Sequence, residues 1–394
     1  MKKILTILVL ASLAQFALAE SPDRIFEVTT DIGASVSNNY FPLSDMFQNP
    51  MVIDLSAMDK ALQSDGFCLA AGSTSELGIN LRLSPECRMG LFIGTDATGF
   101  TSLPKSLFDL ISQGNTLDQT FSGNLDMRGD VFAEMGAWFG TKIFGFDVTV
   151  RPAYYIPIIH VGNSSATYSL QTASDGSTTA NVQANVPVYS IVPLNSPIDT
   201  SSILANLFRS GGVDLTLEAE YPLFNWLALG VDLVHIPILL ATLNQRTELQ
   251  YNYSFSMNNL LANYGSNSLY QTSQSNSAVS NTDPVTVARP LDLGVHAVFS
   301  PFSTPILSLT PNIGMGIYDG TYMNGGLKVE VNLRHWFVFS LSSQLEDRLW
   351  NEQVGAALNL RLVEIDVSVG GQSSDFQSSF TCGVSASVGA KIGY

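Results

Sequence analysis

From Ser379 to Tyr394 the chain alternates without a break. Phe380, Cys382, Val384, Ala386, Val388, Ala390, Ile392 and Tyr394 hold one parity, and Ser, Thr, Gly and Lys hold the other. Successive side chains of an extended strand point to opposite faces, so this period of two specifies one apolar and one polar face. An ordinary soluble strand ends after about five or six residues, whereas this run continues well past that. The pattern recurs in Phe26, Val28, Thr30, Ile32, Ala34 and Val36, set against Glu27, Thr29, Asp31, Gly33 and Ser35. It returns in Val213, Leu215, Leu217, Ala219 and Tyr221 and again in Leu327, Val329, Val331 and Leu333. A soluble β-sandwich alternates too, but strands this long suit a bilayer, which a tilted strand crosses in about 9–11 residues. Lipid offers no partner for backbone N–H and C=O groups, so a spanning sheet has to close on itself. The pattern predicts an all-β chain folded as a transmembrane antiparallel β-barrel.

That fold explains an otherwise contradictory composition. Only 13% of residues are charged and 45% are hydrophobic, with a mean hydropathy of +0.19. Beyond residue 20, however, no apolar stretch reaches the about 18 residues of a spanning helix. Alternation spreads the aliphatic residues one in two, where a hydropathy window averages them away. Acids outnumber bases 34 to 18, for a net charge of -16. This excludes nucleic acid as a partner, because phosphate binding needs a basic surface.

Lys2 and Lys3, an apolar run from Ile4 to Phe16, and Ala17-Leu18-Ala19 have the layout of a cleavable signal peptide over residues 1–19. Residues 20–394 then form the barrel of an exported bacterial protein. Counting alternating runs predicts about 14 strands, with 285–299 and 378–394 each read as one strand. Short connections, such as 84–86 and 222–225, alternate with long ones at 38–71, 98–120, 160–210 and 238–284. Tight turns at one end and long loops at the other are expected of an outer-membrane barrel. The stretches 166–173, 182–192 and 242–256 read as hairpins within the long outer loops. Short helices are expected at 51–62 and 104–112, the second with Pro104 at its start and Gly114 at its end. The segment 40–70 therefore has two readings, a plug inside the barrel or a cap on its rim.

The polar parity carries the candidate lumen residues. Near the N-terminus these are Glu27, Asp31, Glu76, Arg82 and Arg88, followed by Asp126, Arg128, Asp147 and Arg151. Glu218, Glu220, Glu330 and Arg334 continue the set, and Asp130, Glu134, Asp214, Asp232, Asp292 and Glu352 share its parity. Their excess of acids favours cations if the lumen is open. Glu76 and Arg82 beside Arg88 read as an ion-pair network that holds a narrow barrel shut. Pro157 and Pro237 each follow an aromatic or His-bearing apolar run at the loop end of a strand. Proline removes a ladder hydrogen bond, so these two either end their strands or mark a lateral exit through the wall. His160, His235, His296 and His335 show no metal-ligand spacing, and no G-x-S-x-G nucleophile motif occurs. No enzyme, metal or cofactor is expected. Cys68, Cys87 and Cys382 are an odd set; Cys68 and Cys87 either pair or serve, with Cys382, as small apolar fillers.

Tyr40-Phe41-Pro42-Leu43-Ser44-Asp45-Met46-Phe47, Thr149-Val150-Arg151-Pro152-Ala153-Tyr154-Tyr155 and Leu217-Glu218-Ala219-Glu220-Tyr221-Pro222-Leu223 resemble segments of uncharacterised outer-membrane barrels from spirochaetes such as treponemes. More distantly, the strand number, long outer loops and terminal tyrosine resemble the long-chain fatty-acid transporter family. The chain departs from that family in leaving no room for a hatch before its first strand. The resemblance implies an outer-membrane transporter or channel for small molecules, hydrophobic ones included. The alternative is a plugged barrel whose loops at 160–210 and 238–284 act as a surface adhesin. Implied partners are membrane lipid, a small hydrophobic ligand, periplasmic chaperones and the barrel-insertion machinery, which would read Tyr394.

Overall fold

Most of the alternating stretches are strands in the computed structural model, which describes residues 24–46, 53–64, 66–114, 116–162, 164–192, 194, 208–258, 270–302, 306–333, 336–360 and 362–394. The expected signal peptide at 1–19 and Arg334 lie outside the described residues. The strands of the first half are β1 (Phe26–Asn38), β2 (Phe67–Ser84), β3 (Cys87–Leu103), β4 (Gln119–Ile143), β5 (Phe146–Val161), β6 (Ser165–Thr172), β7 (Thr178–Ser190), β8 (Gly212–Phe224) and β9 (Leu227–Leu239). Then come β10 (Ala241–Leu243), β11 (Gln245–Met257), β12 (Tyr270–Asn281), β13 (Val285–Val287), β14 (Leu291–Phe299), β15 (Leu307–Ile317) and β16 (Thr321–Leu333). The last are β17 (Phe337–Glu346), β18 (Leu349–Asn359), β19 (Val363–Ser373) and β20 (Gly383–Gly393). Short helices accompany them among the described residues: α1 (Leu43–Met46), α2 (Leu55–Ala61), α3 (Lys105–Gln113) and α4 (Phe376–Ser379), with 208–210 helical as well. Among the described residues, no helix is long and apolar enough to cross a membrane.

Every pairing is antiparallel, and the sheet closes. From β1 the path of hydrogen-bonded neighbours runs through β2, β3 and β4. At the end carrying the long connections it passes to β6 and β7 and returns to β5. It continues through β8, β9 and β14, and then in chain order from β15 to β20, which pairs with β1. This closed path holds sixteen strands, which corrects the expected count of about 14. The difference arises at β4, whose 25 residues pair with β5 along the turn end and with β6 along the loop end. β11 pairs with β7 and β12 with β11, so stretches expected as isolated loop hairpins extend the wall.

Two further expectations fail locally. The run 285–299 is broken: 285–287 leaves the wall to pair with β10 as a separate two-stranded sheet. Pro290 explains the break, since it has no N–H to give a ladder. The run 378–394 also starts later than its parity suggested. Asp375 accepts hydrogen bonds from the Gln377 and Ser378 amides, which caps α4 instead. Strand β20 begins at Gly383, whose φ of +110° is a conformation other residues avoid.

Turn chemistry sets the register. Phe144 and Gly145 between β4 and β5 both have positive φ (52° and 89°), as do Asp347 and Arg348 between β17 and β18 (44° and 68°). Such two-residue turns match the twist of the strands they join. Outside, Ile32, Leu91, Ile93, Ile313, Val369 and Val388 are each more than half exposed. A continuous apolar outer belt on a closed sheet is what lipid contact requires. Glu352 belongs to this outward parity, not the inward one: it sits opposite Ser343, whose hydroxyl donates to it at 2.8 Å.

At the loop end, α2 and α3 pack through Met58, Leu62, Phe67 and Phe108 with Tyr40 and Phe41 beside them. Ser112 donates to Asp59 at 2.5 Å, holding that carboxyl below its usual range, while hydrogen bonding to Asp59 pushes the Asp109 carboxyl up. Cys68 lies opposite Ser102 and Cys87 opposite Ser84, at opposite ends of the β2–β3 ladder. All three cysteines are free, so Cys68 and Cys87 do not pair.

Candidate functional site

The inward parity lines a polar lumen that widens into several cavities, four of them lined by described residues. Two cavities of about 420 and 430 Å³ share Asp96, Thr98, Glu346 and Asp347. Nearer the turn end lie one of about 290 Å³, lined by Asp31, Glu76, Trp138, Asp366 and Lys391, and one of about 280 Å³, lined by Arg24, Glu27, Arg82, Arg88 and Glu364. Acids outnumber bases in the first three, whereas Arg24, Arg82, Arg88 and Lys391 outnumber Glu27 and Glu364 in the last. Among the described residues, no group of three or more His, Cys, Asp and Glu is placed to hold a metal.

One ion-pair chain crosses this lumen. Arg151 on β5 reaches Glu76 on β2 at 2.5 Å and Glu134 on β4 at 3.4 Å, with its guanidinium 3.6 Å above the Phe92 ring. Such a reach over β3 and β4 needs a low floor. Glu76 pairs with Gly94, and Phe92 with Gly136, and a Cβ on Gly136 would run into the Phe92 ring and the Pro152 carbonyl. Glu134 also pairs with Arg289, which holds Asp214 on β8 in a two-pronged contact: Nε to Oδ2 at 2.7 Å and Nη2 to Oδ1 at 2.8 Å.

Arg289 sits on a strap. Strands β10 and β13 form a small sheet whose Ala241 and Leu243 are fully buried. They pack with Val287, Phe132, Tyr155 and Ile191, flanked by Ile158, Tyr189, Val192 and Val285. The Tyr155 hydroxyl ties both strands, donating to the Val287 carbonyl at 3.0 Å and accepting from the Ala241 amide at 3.2 Å. Next to it, His235 of β9 takes a φ of +58° and places Nδ1 3.0 Å from the Pro290 carbonyl. The loop end of the lumen therefore holds an apolar compartment, filled by a segment of the chain's own 238–290 region and locked by Arg289.

The remaining sequence candidates scatter along the wall. Glu27 pairs with Arg24 at 2.8 Å and accepts from Asn80 at 3.2 Å. Asp31 lies opposite Glu76 in register. Arg82 and Arg88 face each other across the β2–β3 turn, so the expected network of Glu76 with these two arginines is corrected: Glu76 pairs with Arg151. Asp126 is opposite Ser102, and Arg128 stacks 4.5 Å over Phe100. Asp147 sits 3.7 Å from Lys142 at the turn end. Glu218 is opposite Asp232; Glu220 is 3.5 Å from His296, whose other ring nitrogen is 2.7 Å from Asp232. Glu330 pairs with Lys328 at 2.8 Å.

Pro157 is fully buried opposite Phe132, beside a β-bulge after which the β4–β5 ladder resumes. Pro237 is opposite Asp214 on β8, beyond the last pairing of β9 with β14 at Val234 and Asp292. The Tyr394 carbonyl accepts from the Ile25 and Phe26 amides, and its ring lies 6.0 Å from that of Phe26, sealing the closure of β20 on β1. Sequence reasoning missed Arg289 and the role of Tyr155. Arg289-Pro290 inside a supposedly continuous strand was the available signal, since proline argues against an uninterrupted central strand.

No family model matches the chain, and no curated protein matches it. Among solved structures, the Ralstonia pickettii toluene transporter TbuX is similar over 96% of this chain and 91% of its own, at 9% identity and a TM-score of 0.46. A Pseudomonas aeruginosa FadL homologue is similar over 96% and 92%, at 8% identity and a TM-score of 0.41. The translocator domain of the Neisseria meningitidis autotransporter NalP is similar over 100% and 96%, at 8% identity and a TM-score of 0.32.

Proposed function

We propose that this chain is a bacterial outer-membrane β-barrel transporter for small hydrophobic molecules, held closed by an internal strap. The observation that carries this reading is the apolar compartment in an otherwise polar lumen. Phe132, Tyr155, Ile158, Ile191 and Val192 line a place that Leu243, Ala241 and Val287 fill. A segment that occupies an apolar site without belonging to the wall can exchange with an apolar cargo of similar size, because burial is non-directional and scales with area. The polar lumen below would reject such a cargo, so its way out is sideways, past Pro157 or Pro237. Uptake of a labelled monoaromatic compound or fatty acid into cells tests this. Uptake should depend on the protein and fall several-fold in Pro157→Ala plus Pro237→Ala. Undiminished uptake in that double variant removes the lateral exit, and no uptake by folded protein removes the transporter.

A second reading rests on the lumen acids. If the strap leaves without cargo, the remaining path is polar and negative, which prefers cations.

The same reading assigns Tyr394 to assembly. Its deletion should lower the amount of folded barrel in the membrane far more than it lowers the melting temperature of barrel already assembled. A matched fall in melting temperature would reassign Tyr394 to stability.

A further inference from the structure

The lock and the wall differ in kind. Glu134, Tyr155 and Asp214 belong to β4, β5 and β8, each fixed by ladders on both sides. Arg289 belongs to the strap. The wall presents two carboxylates and an aromatic ring to one buried point. Asp214 engages two guanidinium nitrogens, Glu134 takes the third, and the Tyr155 ring centre lies 5.4 Å from the guanidinium carbon. The side chains of Arg289 and Asp214 are 5% and 2% exposed. A planar fork of donors met by carboxylates, with a ring alongside, is the recognition chemistry of a guanidinium group. When Arg289 is absent, Glu134 keeps the guanidinium of Arg151, which Glu76 already shares.

We propose that Asp214, Glu134 and Tyr155 form a binding site for small guanidinium-bearing cations, in which Arg289 sits as an internal surrogate that such a ligand displaces. The acidic lumen raises the local concentration of cations at this site. Displacement frees the strap, and this consequence rests on the transporter reading above; the binding itself does not.

The test is binding of methylguanidinium to purified barrel, with folding checked by heat-dependent gel migration. Calorimetry on Arg289→Ala should show saturable binding at least tenfold tighter than to the unaltered chain, where the site is occupied. Asp214→Asn added to Arg289→Ala should abolish it. Tetramethylammonium, which has the charge but no N–H donors, should not compete. Equal binding to the unaltered chain, equal binding of tetramethylammonium, or indifference to Asp214→Asn each overturns the site.

A second measurement covers the case in which Arg289→Ala does not fold. Leu243→Cys, in a background with the three native cysteines replaced by serine, should label several-fold faster with a thiol reagent when methylguanidinium is present. Unchanged labelling overturns the displacement. Binding without cargo uptake would overturn the transporter reading alone, and uptake without binding would overturn only this site.

Discussion

Arg289→Ala should convert a closed barrel into a conducting one. In the closed state Arg289 neutralises Asp214 and Glu134, and its side chain and theirs are largely buried. Removing one partner of a buried ion pair costs about 3–5 kcal/mol, because the other charge stays behind uncompensated. Arg151 still contacts Glu134, so the lower figure is the better guide. Since each 1.4 kcal/mol is about tenfold in an equilibrium, the strap-free population should rise by about a hundredfold. In planar bilayers the unaltered protein should be mostly silent, and Arg289→Ala should show stable, cation-preferring steps. Silence from a variant whose heat-dependent gel migration is normal would mean that Arg289 does not hold the lumen shut.

Leu243→Asp should reach the same open state without touching the lock. The Leu243 side chain is fully buried against the wall cluster, where burial is worth about 1.5–3 kcal/mol. A carboxylate there would be packed among apolar side chains, and an unpaired buried charge costs several kcal/mol more. The strap can relieve both terms by leaving. The steps should match those of Arg289→Ala in size and cation preference. The double variant should open little further, because both substitutions act on one two-state element and their effects are not independent. A Leu243→Asp variant as silent as the unaltered chain would place the strap outside the conduction path.

The two experiments also separate the readings. If both variants conduct ions and neither changes uptake of a hydrophobic probe, the lumen is a gated cation path. If uptake rises with conductance, the apolar compartment is the cargo route.

Alternation by itself determined a good deal of this protein. Glu27, Thr29 and Asp31 against Val28, Thr30 and Ile32 fix which face of β1 meets water, and Val388, Ala390 and Ile392 do so for β20. The reason is geometric: a strand's side chains have a period of exactly two residues, so one dimension of sequence encodes two faces. Closure then follows from the need to pair every backbone group in lipid.

What alternation does not encode is the partner. Glu76 reads as a neighbour of Arg82 along its own hairpin, yet it meets Arg151 because Gly94 and Gly136 leave room for a side chain to cross two strands. Parity alone puts Glu352 on the inner face, but register opposite Ser343, on the face of Leu341 and Val354, places it outside. β10 and β13 have three residues each, too few for any period to show, and they are buried against residues of distant segments, Phe132, Tyr155 and Ile191 among them. The wall was legible because its rule is local and repeats along every strand. The strap pairs residues more than 40 positions apart, as Leu243 with Val285, the Arg289 lock joins residues 75 and 155 apart, and Tyr155 reaches Val287 across 132; only the tertiary structure could bring those together.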